Sequence, residues 1–185
     1  MPAQSEVVGT DVMSALAHPL RRRMLDALGA DGPATVGQLA ERTGQAVGSV
    51  SHHLKALAAA GLVHEAPELA RNRRERWWCR VPTLTWRGPA GSAAEQAALE
   101  AATDVAFSRQ IELFNAFRAK SDLLPEWSNA AFALDTWLQL TSAELEDLGA
   151  ELATVLRRWR ERDVPDDGAE RRSAFVFTRG FPARP

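Results

Sequence analysis

The sequence predicts a mainly α-helical chain with a small β component, and three observations carry that prediction. Between residues 10 and 60, apolar residues recur at helical spacing in four short runs, each bounded by proline, glycine or a capping residue. Two short apolar and aromatic stretches, Leu62–Glu65 and Glu75–Val81, then flank a polar loop. After a break rich in proline and glycine, helical spacing returns in a much longer run. At 45% hydrophobic and 25% charged residues, the 185-residue chain has the composition of a globular protein able to bury a core without disulfides.

Residues 1–9 carry little pattern and read as a loose tail. Thr10 or Asp11 is placed to cap a first helix holding Val12, Met13, Leu16 and Ala17. His18-Pro19 interrupts it, because the residue before proline is steered away from helical angles while proline suits a first helical turn. A second helix runs from Pro19 to about Leu28, with Leu20, Met24, Leu25 and Leu28 on one face, and Gly29 and the Asp31-Gly32-Pro33 cluster are expected to end it. Thr35 starts a third helix with Val36, Leu39 and Ala40 inward, stopping at Thr43-Gly44. The fourth, from Ala46 or Val47 to Ala60, buries Val50, Leu54 and Leu57, with Gly61 at a left-handed C-terminal position. Two short helices joined by a tight glycine-containing turn form a helix-turn-helix, whose second helix enters the DNA major groove. The Leu62–Glu65 and Glu75–Val81 strands then make a hairpin wing, with Trp77 and Trp78 on opposite sides. Residues 10–81 form this winged domain, and 82–91 read as a linker.

The second part, 92–185, opens with a helix from Ser92 to about Lys120. Its apolar residues cover more than one stripe, which suits dimerisation. Ser121–Asn129 reads as irregular. Ala131–Leu140 alternates like a strand, with a helix as the alternative, and Ser173–Phe181 alternates like a last strand. Thr141 and Glu144 form a capping box for a helix to about Asp163. The expected fold is thus a winged helix-turn-helix, a long dimerisation helix and a small α+β C-terminal extension.

The segments ALAHPLRRRMLDAL (Ala15–Leu28), TVGQLAERTG (Thr35–Gly44), GSVSHHLKAL (Gly48–Leu57) and AGLV (Ala60–Val63) resemble the ArsR-type winged-helix regulators, in the same order and at the same separations. The resemblance spans about residues 10–81. It implies a homodimeric regulator binding double-stranded DNA, a repressor by default, with the Ala46–Ala60 helix in the major groove. The chain departs from the commoner pattern at Ala46-Val47-Gly48, where relatives often carry polar residues and proline, so the operator is not inferable from them.

The residues assigned to DNA on this reading are Gln45, Val47, Gly48, Ser49, Ser51, His52, His53 and Lys55 around the recognition helix, with Arg71, Asn72, Arg73 and Arg74 in the wing. Hydroxyls and imidazoles reach phosphates or base edges, and arginine at a hairpin tip grips phosphate or the minor groove. For His53 a hydrogen-bonded, partly buried position is an equal alternative, and Arg21, Arg22 and Arg23 are weaker phosphate candidates. Charge distribution agrees: residues 1–88 hold 11 basic against 8 acidic side chains, and 89–185 hold 11 against 16.

Metal sensing, common in that family, uses cysteines in the helix before the recognition helix or Asp/His sets on C-terminal helices. Val36–Thr43 has no cysteine and 92–185 no histidine, so no metal or other cofactor is expected. No catalytic motif appears, and the chain is not read as an enzyme. Trp127, Trp137 and Trp159 either line a pocket for a small apolar effector or belong to the core of the extension, the latter preferred. A docking module for another protein is the rival from a different class. One cysteine, Cys79, and no membrane-length apolar run point to the cytoplasm.

Overall fold

A computed structural model describes residues 10–72, 75–82, 91–120 and 125–184. The chain divides into two compact units, residues 1–111 and 112–185. The first holds α1 (Thr10–Leu16), α2 (Pro19–Asp31), β1 (Ala34–Thr35), α3 (Val36–Thr43), α4 (Val47–Ala59), β2 (Val63–Glu65), β3 (Trp77–Arg80) and most of α5 (Ala93–Arg118). The second holds the end of α5, then α6 (Pro125–Ala130) and α7 (Ser142–Glu161).

Local chemistry sets the helix ends. His18 caps α2, its Nδ1 accepting from the Leu20 N–H at 3.2 Å, and Pro19 follows at the first helical position. Thr35 caps α3 and exchanges bonds with Gln38, a complete capping box. Gly44 closes α3 at φ 66°, a left-handed angle that strains any residue with a Cβ, and its N–H bonds back to Ala40 and Glu41 carbonyls. α2 runs past Gly29 to Asp31 and stops at Gly32, inside the expected Asp31-Gly32-Pro33 cluster. At Gly29 a Cβ would lie 2.6 Å from Nη1 of Arg80, and that nitrogen donates to the Leu25 carbonyl at 3.3 Å. The glycine leaves room for an arginine from β3.

The wing strands pair antiparallel, with His64 opposite Cys79 and Val63 opposite Arg80. A third strand not expected from the sequence, β1, adds to the other edge of β3 with Ala34 opposite Trp78, giving the order β1-β3-β2. Trp78 is buried and Trp77 half-buried, as strand alternation requires. A turn of 3₁₀ helix, Pro67–Leu69, occupies part of the loop between β2 and β3.

One core unites the first unit. Met13 of α1, Met24 of α2, Leu39 of α3, and Val50, Leu54 and Leu57 of α4 are all essentially without solvent contact. α5 adds Ala102 to this core, while Gln110 is its other buried residue. Phe107, Ile111 and Phe114 stay exposed, so the expected burial of this helix on several sides is not achieved within one chain.

The second unit departs furthest from expectation. Residues 125–130 form α6 rather than irregular chain. Thr141 and Glu144 form the expected capping box, and α7 follows to Glu161. Neither Ala131–Leu140 nor Ser173–Phe181 is a strand; both stretches run without turn, bend or pairing. The expected β part of the extension is therefore absent among the described residues. Alternation assigns side chains to faces, but a strand also requires a neighbour for its N–H and C=O groups.

Leu54→Ala should lower the unfolding free energy by about 2–5 kcal/mol, the usual cost of a cavity in a packed core. Urea unfolding would register this as a lower midpoint at unchanged slope; a loss below about 0.5 kcal/mol would contradict the burial of α4.

Candidate nucleic-acid interface

Three residues determine which side of α4 faces water. Val50, Leu54 and Leu57 point into the core, and at 3.6 residues per turn Gly48, His52 and Lys55 fall on the opposite side, with Val47 and Ser51 flanking the buried edge. Val47, Gly48, His52 and Lys55 are exposed and Ser51 is half-exposed. Val47 leaves 56% of its surface in solvent, an apolar group at the helix start where methyl–methyl contact with thymine is the available chemistry. α4 begins without a side-chain cap, since Ala46 carries no acceptor, and its first-turn N–H groups remain open to an anion. Gln45 lies exposed in the turn, its N–H tied to the Ala40 carbonyl at 3.0 Å. Ser49 is half-exposed at the edge of the outward side.

His53 is placed elsewhere. One position past His52, it lies on the side of α4 facing the α1–α2 corner, its ring 4.3 Å from that of His18. His52 meets His53 edge-on at 5.3 Å. The Nδ1 atom of His53 is buried without a hydrogen-bond partner. Burial, then His18, Arg21 and His52, hold its pKa below the ordinary value of 6.5. Burial first and Arg21 second do the same to His18. His53 is thus partly buried, as its alternative had it, but without the hydrogen bond at Nδ1 that the alternative included.

The run Arg21–Arg23 is committed to structure. Arg21 donates through Nε to the Ala15 carbonyl and through Nη2 to the Ser14 carbonyl at 2.7 Å, tying down the end of α1. Arg23 donates to the Thr43 carbonyl at the end of α3 at 2.6 Å. Arg22, nearly buried, pairs with Asp26 at 3.5 Å, and Asp26 also accepts from Arg109 of α5 at 2.9 Å. These guanidiniums serve carbonyls and a carboxylate, which removes the run from the phosphate candidates.

In the wing, Arg71 and Asn72 are exposed, and Arg73 and Arg74 lie outside the described residues. Glu75, to which the sequence alone assigned no role, organises the turn. Its carboxylate accepts from the Arg71 N–H at 3.0 Å, from Asn72 Nδ2 at 3.2 Å and from Trp77 Nε1 at 3.5 Å. The bond from the Arg71 N–H, foremost, holds the Glu75 pKa below the usual carboxylate value. Its spacing from Arg71, four residues on in a polar loop, was the available sequence signal. Arg76 pairs with Glu65 across the strands at 3.3 Å on the surface.

Trp137 and Trp159 lie on the surface, against the core position preferred for them. Trp127 is half-buried, Trp137 is 67% exposed and Trp159 is 57% exposed with Arg162 stacked 4.9 Å from its ring centre. Two open surface grooves include none of them: one of about 460 Å³ lies along α5 at Gln96, Leu99, Glu100, Thr103 and Asp104, and the other lies against the wing. Among the described residues, no three His, Cys, Asp or Glu side chains converge as a metal site, and no helix is long and apolar enough to cross a membrane.

A family model described as a helix-turn-helix domain matches residues 16–66, from the last residue of α1 to just beyond β2. No curated protein matches the chain, and no solved structure does. The match makes α3, the turn at Gly44 and α4 a helix-turn-helix, the kind of domain through which transcription regulators bind DNA.

The histidine pair gives a pH dependence of defined sign. Because the folded state holds both pKa values below 6.5, it binds fewer protons than the unfolded chain, so stability is complete above about pH 6.5 and declines as the pH falls from there toward the lowered values. Denaturant titrations near pH 7.5 and near pH 5 should show this loss in the wild type, and a smaller one in the His18→Asn, His53→Gln double variant. Identical losses in the two proteins would rule out the histidines as its source.

Proposed function

We propose that the protein is an ArsR-type, sequence-specific regulator of transcription that binds double-stranded DNA as a homodimer, represses by occupying a promoter, and does not respond to metals. The observation that carries the reading is the exposed arc of α4, held opposite a buried apolar edge within a matched helix-turn-helix. An arc bearing Ser51, His52 and Lys55 supplies donors for phosphate and base edges, and the uncapped start of α4 adds backbone N–H groups. The wing, ordered by Glu75, presents Arg71 and Asn72 in the chain segment directly after the helix-turn-helix.

The homodimer is supported by α5, whose Phe107, Ile111 and Phe114 remain in water in a single chain, an arrangement that a second helix relieves. Two copies bring two α4 helices to half-sites about one helical turn apart, about 34–36 Å, and so read an inverted repeat. The absence of cysteine from Val36–Thr43 and of histidine from 92–185 supports a metal-independent output.

Band shifts against genomic fragments, at two salt concentrations, test the proposal. A selected fragment should be retained over competitor DNA. Lys55→Ala should weaken binding to all duplexes and make the dependence of log K on log salt shallower, by about 1 for each phosphate that the side chain neutralises. Removing charge at Arg71, Arg73 and Arg74 together should weaken binding more than Lys55→Ala alone. Affinity that ignores both substitutions, or retention of no duplex at physiological salt, would replace the regulator reading with that of a protein-docking winged helix.

A further inference from the structure

The first turn of α4 differs in chemistry from the rest of its outward side. Ala46, Val47 and Gly48 are all exposed, and none carries a hydrogen-bonding side chain. Val47, the first helical residue, is 56% exposed although it flanks the buried edge, because burial along the helix begins at Val50. Its branched side chain has one strongly preferred rotamer in a helix, so its methyls are held in place before any contact. Gly48 points away from the core, and a Cβ built on it would meet nothing within 4 Å. A helical glycine costs stability relative to alanine, and neither a close neighbour in the chain nor a positive φ requires one at this position. The room it leaves is room for a surface outside the chain.

We propose that Val47 reads the 5-methyl group of a thymine in each half-site, and that Gly48 beside it lets the first turn of α4 close to van der Waals distance on the base edges. The inference rests on the DNA-binding role proposed for α4, and it names what the start of that helix recognises. Each base pair shows a different set of groups in the major groove, and the thymine methyl is the apolar one. A side chain without donor or acceptor that lies against guanine O6, a purine N7 or the cytosine amino group displaces water from it and returns no hydrogen bond, which costs free energy. Against thymine, the same contact removes apolar surface from water on both partners.

Position along the helix supports this division of roles. In a helix-turn-helix the first residues of the second helix approach the base edges. Here those residues are the apolar ones. His52 and Lys55 follow about 7.5 and 12 Å further along the axis, at about 1.5 Å per residue, with nitrogens suited to phosphate oxygens. The valine methyls and the bare glycine are therefore separate from the polar contacts, and each can be changed without touching His52 or Lys55. An isolated exposed valine is ordinary on any protein surface. The adjoining glycine and the matched helix-turn-helix give this one an occupant.

Uracil scanning of a duplex selected from a random pool tests the inference on the full chain, because uracil pairs with adenine as thymine does and lacks only the methyl. One thymine position in each half-site should lose about fourfold in affinity on replacement by uracil, the factor that corresponds to burying one CH₂ group. Val47→Ala should bind the thymine and uracil duplexes equally. Gly48→Ala should unfold at higher urea, as the better helix former, and still bind at least about fivefold more weakly, the lower end of the cost of a methyl forced into a close contact. The proposal is overturned if uracil weakens the wild type at no position, if the loss persists undiminished in Val47→Ala, or if Gly48→Ala keeps wild-type affinity. A selected duplex retained with any of these three results sinks the inference and spares the regulator, whereas retention of no duplex sinks both.

Discussion

Val50, Leu54 and Leu57 share one core with Met13, Met24 and Leu39, and that shared burial determines the rotation of α4 about its own axis. A helix cannot turn one face without turning the other, so removing those three side chains from water presents Gly48, His52 and Lys55 to it. The tight left-handed turn at Gly44 sets the entry of α4, and the Arg23 guanidinium on the Thr43 carbonyl ties the end of α3 to α2. Hydrophobic burial orients the helix and a few backbone bonds hold its approach. The exposed side of α4 is the remainder.

Positive charge has two uses in this chain. Arg21, Arg22 and Arg23 cap carbonyls and pair with Asp26, joining α2 to α1, α3 and α5. Lys55 and Arg71 stand exposed on the helix and wing instead. A linear count of basic residues merges the two populations, and only the folded chain separates them. Glu75 complements the second group: an acid in a basic loop, it orders the turn from which Arg71 and Asn72 project.

How much was legible in the sequence follows from the range of the interactions. Helix starts at Thr35 and Thr141 and the turn at Gly44 depend on neighbours within four residues, and all were readable. The alternation of Trp77 and Trp78 was readable for the same reason. β1 was not, because two residues carry no period and its existence rests on Trp78, more than forty positions away. Gly29 looked like a stop, yet it is the space occupied by Arg80. For His53 the sequence left a phosphate contact and a partly buried position equally open, and a 100° step from His52 carries it to His18. For residues 131–140 and 173–181 alternation was real and pairing was not, since periodicity says which side chains share a face and nothing about who lies beside them.

If the regulator reading holds, the outward arc of α4 lies against base edges in the major groove. Guanine N7 methylation protection on a duplex selected from a random pool reads that groove directly. The expected result is two clusters of protected N7 atoms about 10 base pairs apart, related by a dyad in the selected sequence. A bound duplex with no protected N7 atoms, or one asymmetric cluster from a monomer, would contradict it.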